Sequence, residues 1–361
     1  SAMKSKLILF FCSILLILAI EPVIARTYVV NKNHPKATNE GPGTVTKPFL
    51  TICKAAKLAK PGDTIFFFFF VYRERVAPAR GGAKNSPITY LGAYNEKVII
   101  KGSEIWKPNW NRVNNRPNIY YGTIKQSLMG DYNPLAVKAR DLKGDFTLGQ
   151  VFVNGKIYKE VDNREGLYST AATWMTTKNG TRLYVHFKPS PLKLEDRKVE
   201  ITSRERIFAP HKRGLGYITV KNFTMLHAGN QFPSSFWNEE KGAAQAGALG
   251  TRSGHHWVIE NNVIRFANSL GIDCGSEGFD PGGSQPTPDY VGYHLICNNV
   301  VSDNGACGIA GWKHTGTKII GNLIERNNYR GWTSPENGGI KVHSFVNGLI
   351  EGNICRDNDA H

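Results

Sequence analysis

Apolar positions in the C-terminal half of the chain come in short bursts that restart after a polar corner. The phrase recurs as Val220-Lys221-Asn222-Phe223-Thr224-Met225, Glu260-Asn261-Asn262-Val263-Ile264, Cys297-Asn298-Asn299-Val300-Val301, Ile320-Gly321-Asn322-Leu323-Ile324 and Glu351-Gly352-Asn353-Ile354-Cys355. Each reads as a short strand with an Asn at its start. The Asn residues are 40, 37, 23 and 31 positions apart, so the unit is about 23 residues, with loops inserted in three of four repeats. A second phrase lags the first: Gly271-Ile272-Asp273-Cys274, Gly308-Ile309-Ala310-Gly311 and Gly339-Ile340-Lys341-Val342-His343. Two strands per coil, broken by Gly and Asn turns, predict an all-β fold, a parallel β-helix. One coil leaves both strand edges unpaired, so coils are stable only when stacked. Thirteen Asn lie in residues 256–361, and stacked Asn side chains can hydrogen-bond from coil to coil, so these are expected to be structural.

The N-terminal part, residues 26–104, reads as the start of the same solenoid. Thr27 to Asn31 is a strand, and Phe49 to Ala59 an amphipathic helix placed to cap the open end. Pro61-Gly62-Asp63 then turns into a strand at Thr64. The run Phe66 to Phe70 breaks the alternation of a solenoid wall and predicts large rings on the outside. Residues 105–210 lose the Asn phrase and gain hairpin signals at Asn154-Gly155 and Asn179-Gly180, which predicts an inserted antiparallel β-domain. The solenoid resumes over 211–361 and ends mid-helix.

The first 25 residues read as an address. Lys4 and Lys6 precede an apolar run from Leu7 to Ile20 and a small-residue ending at Ala25, the layout of a secretory signal; Ser1 and Ala2 read as a tag remnant. The run falls short of the ~20 residues that span a bilayer, so the expectation is export without stable membrane insertion, to an extracellular, periplasmic or cell-surface location. Six Cys (Cys12, Cys53, Cys274, Cys297, Cys307 and Cys355) fall in no CxxC pattern, which argues against zinc or a disulfide framework. A net charge of +16 would suit an anionic surface or acidic glycan. The basic residues form no block and no reader motif, so nucleic acid is not expected as a partner. Oligomeric state is not legible.

Aligning the second phrase puts Asp273, Ala310 and Lys341 in one column, and Gly275, Trp312 and His343 in another two residues on. Since Ile272, Ile309 and Ile340 alternate with them and must be buried, both columns are expected to face outward on one strip. Loops Ser276 to Tyr290 and Tyr329 to Gly338 emerge beside it and would present Glu277, Asp280, Asp289, Trp332 and Glu336. Carboxylates, a base and indoles are what an oligosaccharide or polysaccharide needs: partners for hydroxyls and flat apolar faces. The bland reading of each residue singly is an exposed solenoid position. No cofactor is expected; calcium beside Glu277, Asp280 and Asp289 is the alternative, although that spacing matches no known loop. Coils ~4.8 Å apart would suit the ~5 to 5.5 Å carboxyl separation of a retaining glycosidase. No outward column holds such a pair, and Asp303 and Glu325 are one position out of register.

The phrases Lys47-Pro48-Phe49-Leu50-Thr51-Ile52, Pro61-Gly62-Asp63-Thr64-Ile65, Val71-Tyr72-Arg73-Glu74, Tyr217-Ile218-Thr219-Val220-Lys221 and Gly339-Ile340-Lys341-Val342-His343 resemble the β-xylosidases of glycoside hydrolase family 120 over nearly the whole mature chain. The resemblance implies a right-handed β-helix with an inserted β-sandwich and a retaining mechanism on plant cell-wall oligosaccharides. It makes Glu336 a substrate-binding residue; the aligned columns put Lys341, His343, Trp312 and Asp273 near it. It also implies that the nucleophile Asp and acid/base Glu stand on coils past His361, so the catalytic pair is unknown within these residues and the chain is expected to be an N-terminal piece. Two other readings of the residues stand beside it: a β-helix lyase on uronate polymers, in which Lys341 or an Arg abstracts a proton, and a non-catalytic glycan-binding β-helix.

Overall fold

The computed structural model describes residues 24–94, 96–233, 245–277, 291–333 and 335–360. Residues 1–23, within the stretch read as an export signal, and Asp280 and Asp289 lie outside the described residues. Among the described residues no helix is long and apolar enough to cross a membrane.

The chain winds as a parallel β-helix, as expected, but with three strand faces rather than two in its later coils. The first face runs from Thr27–Val30 through Thr64–Phe67, Ile88–Gly92, Ile218–Lys221, Val258–Glu260, Leu295–Cys297 and Lys318–Ile320 to Leu349–Glu351. The second runs from Phe70–Tyr72 through Val98–Lys101 and Phe223–Leu226 to Ile354–Arg356. The third stacks Gly247–Gly250, Leu270–Asp273, Cys307–Thr315 and Gly338–Val346. The recurring phrase hides two strands, because its Asn corner separates Val258–Glu260 from Val263–Arg265.

Register stacks like on like. Tyr90, Val220, Ile259, Ile296 and Ile319 form one inward column, each 0 % exposed. Met225, Ile264, Val301 and Ile324 form another, and Leu249, Ile272 and Ile309 a third. These β-branched and aliphatic side chains fill the single solenoid core. At the last coil Ile350 continues the first column and is 45 % exposed.

The Asn phrase does the structural work expected of it. Asn262, Asn299, Asn322 and Asn353 form a ladder in which each Nδ2 donates to the next Oδ1 at 3.1, 2.9 and 2.9 Å. A second ladder links Asn304, Asn327 and Asn358 at 3.0 and 2.9 Å. Asn222 departs from the expected pattern. It occupies the left-handed corner that Asn261, Asn298 and Gly321 hold on later coils, and Phe223 stands in the ladder position, donating its N–H to Asn262 Oδ1. Asn adopts this backbone conformation more readily than most residues, which explains both of its uses here.

At the N-terminal end, the helix Ile52–Leu58 buries Ile52, Ala55 and Ala56 against the solenoid core. Thr51 caps it, and the Glu74 carboxylate accepts from the N–H groups of Ile52 and Cys53. The Phe run alternates through Phe67 and breaks after it, so the expected break falls only on its second half. Ile65 and Phe67 point into the core; Phe66 and Phe68 pack edge to face at 5.3 Å, and only Phe69 is largely exposed, at 53 %.

The antiparallel strands lie between Ser103–Ile105 and Val199–Thr202 and build their own core around Trp106, Leu135, Trp174, Leu183 and Phe187. Asn154 and Gly155, both at positive φ, turn Val151–Val153 into Lys156–Glu160. Two features fasten this insert to the solenoid. Buried Glu200 accepts from Arg73 at 2.6 Å and Lys101 at 2.8 Å. Ala139 and Leu148 pack with Phe232, Leu270, Ala306 and Trp332 against the outside of the third face.

Candidate functional site

The third face is the wall that the aligned columns pointed to. Asp273 pairs in register with Ala310, Ala310 with Lys341, and Trp312 with His343. The columns therefore exist, but they are not evenly open to solvent. Lys341, His343 and Trp312 are half-buried at the later coils, whereas Asp273 is fully buried.

Asp273 is covered because segments far apart in the sequence fold over it. Gln245 Nε2 donates to its Oδ2, and the Gly275 N–H to its Oδ1 at 3.3 Å. Beside it Glu277, expected on an open loop, is 0 % exposed. It takes both Nη groups of Arg206 at 2.6 and 2.9 Å and lies 3.3 Å from Arg252 Nε. Gly250 makes room for this pair, since a Cβ there would sit 3.0 Å from Glu277 Oε1 and 3.4 Å from Arg206 Nη1. With its oxygens taken by guanidinium groups, Glu277 is not available to the calcium considered from sequence, and no cluster of metal-ligating side chains occurs among the described residues.

The environment pushes the two acids apart. Burial, reinforced by the Glu277 carboxylate, raises the Asp273 carboxyl well above its ordinary range. Burial alone would do the same to Glu277, but Arg206, with Arg252 and Arg213, more than reverses it and holds that group below the usual carboxylate range. Asp273 is thus the neutral member and Glu277 the charged one.

The second loop is also packed down. Trp332, expected to wall a cleft, is fully buried and stacks on Phe232 at 4.9 Å, an arrangement worth ~0.5 to 1.5 kcal/mol beyond its burial. Asn328 Oδ1 accepts from the Trp332 N–H at 2.8 Å, and Asn328 and Asn337 Nδ2 donate to its carbonyl at 3.1 and 2.7 Å. This pinning fixes Glu336, which is 4 % exposed. Burial raises the Glu336 carboxyl above its ordinary range; Lys341 opposes the shift and Asp141, from the insert, adds to it. Burial and the Lys341 charge lower His343, which keeps its ring neutral near pH 7. Lys313 Nζ lies 4.4 Å from the Trp312 ring centroid, and the His343 ring is 6.5 Å from it.

Glu336, Lys341, His343 and Trp312 thus share the later coils of the wall, with Asp273 behind them as a buried support. The column alignment did not find Arg206, Arg252, Gln245 or Asp141. Arg252 had a signal: Gly250 pairs with Asp273, and extending the column one coil earlier reaches Arg252 two residues on. The acids Asp303 and Glu325 are engaged elsewhere, in ion pairs with Arg265, Arg326 and Arg356.

A carboxyl, an ammonium, a neutral imidazole and an indole can donate to and accept from hydroxyls while offering a flat face. Comparison with solved structures shows what the fold is similar to. XylC, solved in complex with xylose, is 29% identical and superimposes with a TM-score of 0.79 over 91% of this chain, which spans 59% of the XylC chain. A structure described as a glycoside hydrolase is 11% identical over 91% of this chain and 96% of its own, with a TM-score of 0.47. A lacto-N-biosidase of Eubacterium ramulus is 14% identical over 91% of this chain and 51% of its own, with a TM-score of 0.46. The protein therefore has a glycoside-hydrolase-like parallel β-helix fold. The XylC likeness bears out the resemblance to glycoside hydrolase family 120. No protein-family model matches the chain. Among curated proteins, the uncharacterized YwoF of Bacillus subtilis (strain 168) is 31% identical over 71 residues, 20% of this chain and 15% of that protein.

Proposed function

We propose that this chain builds the sugar-binding wall of a secreted, retaining glycoside hydrolase of the xylosidase type that acts on plant cell-wall oligosaccharides. One observation carries the reading: the likeness to XylC, over 91% of this chain, supports a sugar-binding role for the wall on which Lys341 and His343 stand in register with Ala310 and Trp312. In this role Glu336 accepts from one sugar hydroxyl, Lys341 and His343 serve neighbouring oxygens, and the Trp312 ring backs the apolar face of the pyranose. The basic, apolar and small-residue order of residues 1–25 supports export.

The test combines binding and turnover. Xylose titrated calorimetrically against the protein is expected to bind, and Glu336→Gln to weaken binding by about tenfold, the cost of one charge-assisted hydrogen bond. Release of pentose from an aryl β-xyloside tests hydrolysis. Ultraviolet-absorbing unsaturated products from a uronate polymer, with no pentose binding, would replace this reading with a lyase.

A further inference from the structure

A second cavity, of about 400 Å³, lies at the seam where the insert meets the solenoid. We propose that it binds a planar aromatic ligand carrying a carboxylate, of the hydroxycinnamate type. Phe146, Tyr158 and Trp174 of the insert and Tyr329 of the solenoid supply rings, and its size falls within the ~300 to 1,000 Å³ of small-molecule pockets.

The state of its polar groups selects the ligand. Glu160 Oε1 accepts from the Thr147 N–H at 2.8 Å and hydroxyl at 2.7 Å, and its Oε2 from Arg330 at 2.8 Å. Arg330 also donates to the Thr147 carbonyl and to Asn268. Gln150 donates to the Phe266 carbonyl at 2.9 Å and the Tyr329 hydroxyl oxygen at 3.1 Å, and accepts from Thr202 at 3.0 Å. These groups hold the two domains together and are already satisfied. A sugar ring, which needs a partner for each hydroxyl, would find few.

Two donors remain. The Tyr329 hydroxyl accepts from Gln150, and its own proton has no acceptor among the described residues. Lys159 lines the cavity from an exposed position and has no carboxylate partner among the described residues. Aromatic walls, one O–H donor and one ammonium match a flat ring with an anionic edge. The loop that carries Asp141 also supplies Leu142 and Phe146 to this cavity.

The experiment is a titration of the protein with 4-hydroxycinnamate, followed by calorimetry and by quenching of tryptophan fluorescence. Saturable binding is expected, weakened about tenfold by Lys159→Ala and severalfold by Tyr329→Phe. Ile157→Trp, which fills the cavity, should abolish it. Lys159 is exposed, so its variant keeps the test valid if Ile157→Trp fails to fold. The carboxamide analogue should bind less tightly and be insensitive to Lys159→Ala. No saturable binding, binding unaffected by Lys159→Ala, or displacement of the ligand by xylose would overturn the proposal. Failure of xylose to bind Glu336 would leave this outcome untouched, because the lining side chains differ.

Discussion

Two buried polar systems run through this solenoid, and they are built on opposite principles. The Asn ladder at Asn262, Asn299, Asn322 and Asn353 is neutral and periodic, and each residue is satisfied by the same residue on the next coil. The cluster around Glu277 is charged and aperiodic, assembled from Arg206, Gln245, Arg252 and Asp273, of which only Asp273 lies within a strand of the third face. Periodic burial costs little, because every amide exchanges water for an equivalent partner. Aperiodic burial of charge is stable only with close pairing, and it marks where the wall departs from a plain solenoid.

The largest test of this contrast is Arg206→Ala. It leaves Glu277 buried without its bidentate partner and is expected to cost ~3 to 5 kcal/mol in urea unfolding. A loss below ~1 kcal/mol would mean that Arg252 alone supports the carboxylate. Next comes a graded pair on the ladder. Asn299→Ala, in its buried middle, strands the Ile259 carbonyl and the donors of Asn262, and should cost ~2 to 3 kcal/mol. Asn353→Ala, at the part-buried end, should cost about half as much. Equal losses would show that the ladder is not graded by burial.

A smaller effect separates the two acids by pH. Asp273 has a raised carboxyl, so its contribution is full below the unfolded value of 3.8 and is lost as pH rises through the folded value. Glu277 has a lowered one, so its contribution is present above 4.5 and lost on acidification. Asp273→Asn should therefore remove the part of the stability loss that appears on raising pH above ~4 and leave the acid-side loss in place. Urea midpoints measured from pH 4 to 8 would read this, and an unchanged profile would place the Asp273 proton elsewhere.

Repetition is what made the fold legible. The phrases at Asn262, Asn299, Asn322 and Asn353 name their own partners, and Ile272, Ile309 and Ile340 give the register of the third face directly. The same logic misplaced Asn222, whose single Asn suits either the ladder or the left-handed corner until Phe223 is seen to occupy the ladder. It also read the whole Phe run as breaking the alternation, because a one-dimensional pattern does not show that Phe67 fills the core while Phe66 and Phe68 pack on each other. Within the candidate site, the pairing of Lys341 and His343 with Ala310 and Trp312 was readable. The burial of Asp273, Glu277, Trp332 and Glu336 was not, since Gln245, Phe232 and the insert cover them from positions with no shared period.

The amino-acid order alone dictated coil stacking, the inward aliphatic columns and the side chains that share a column, since pairing between like strands is local and repeats. Only the tertiary structure decided which members of those columns meet solvent. That depends on loops and an inserted domain closing over the wall, contacts between residues tens to hundreds of positions apart whose energies are set by burial and charge pairing rather than by strand period.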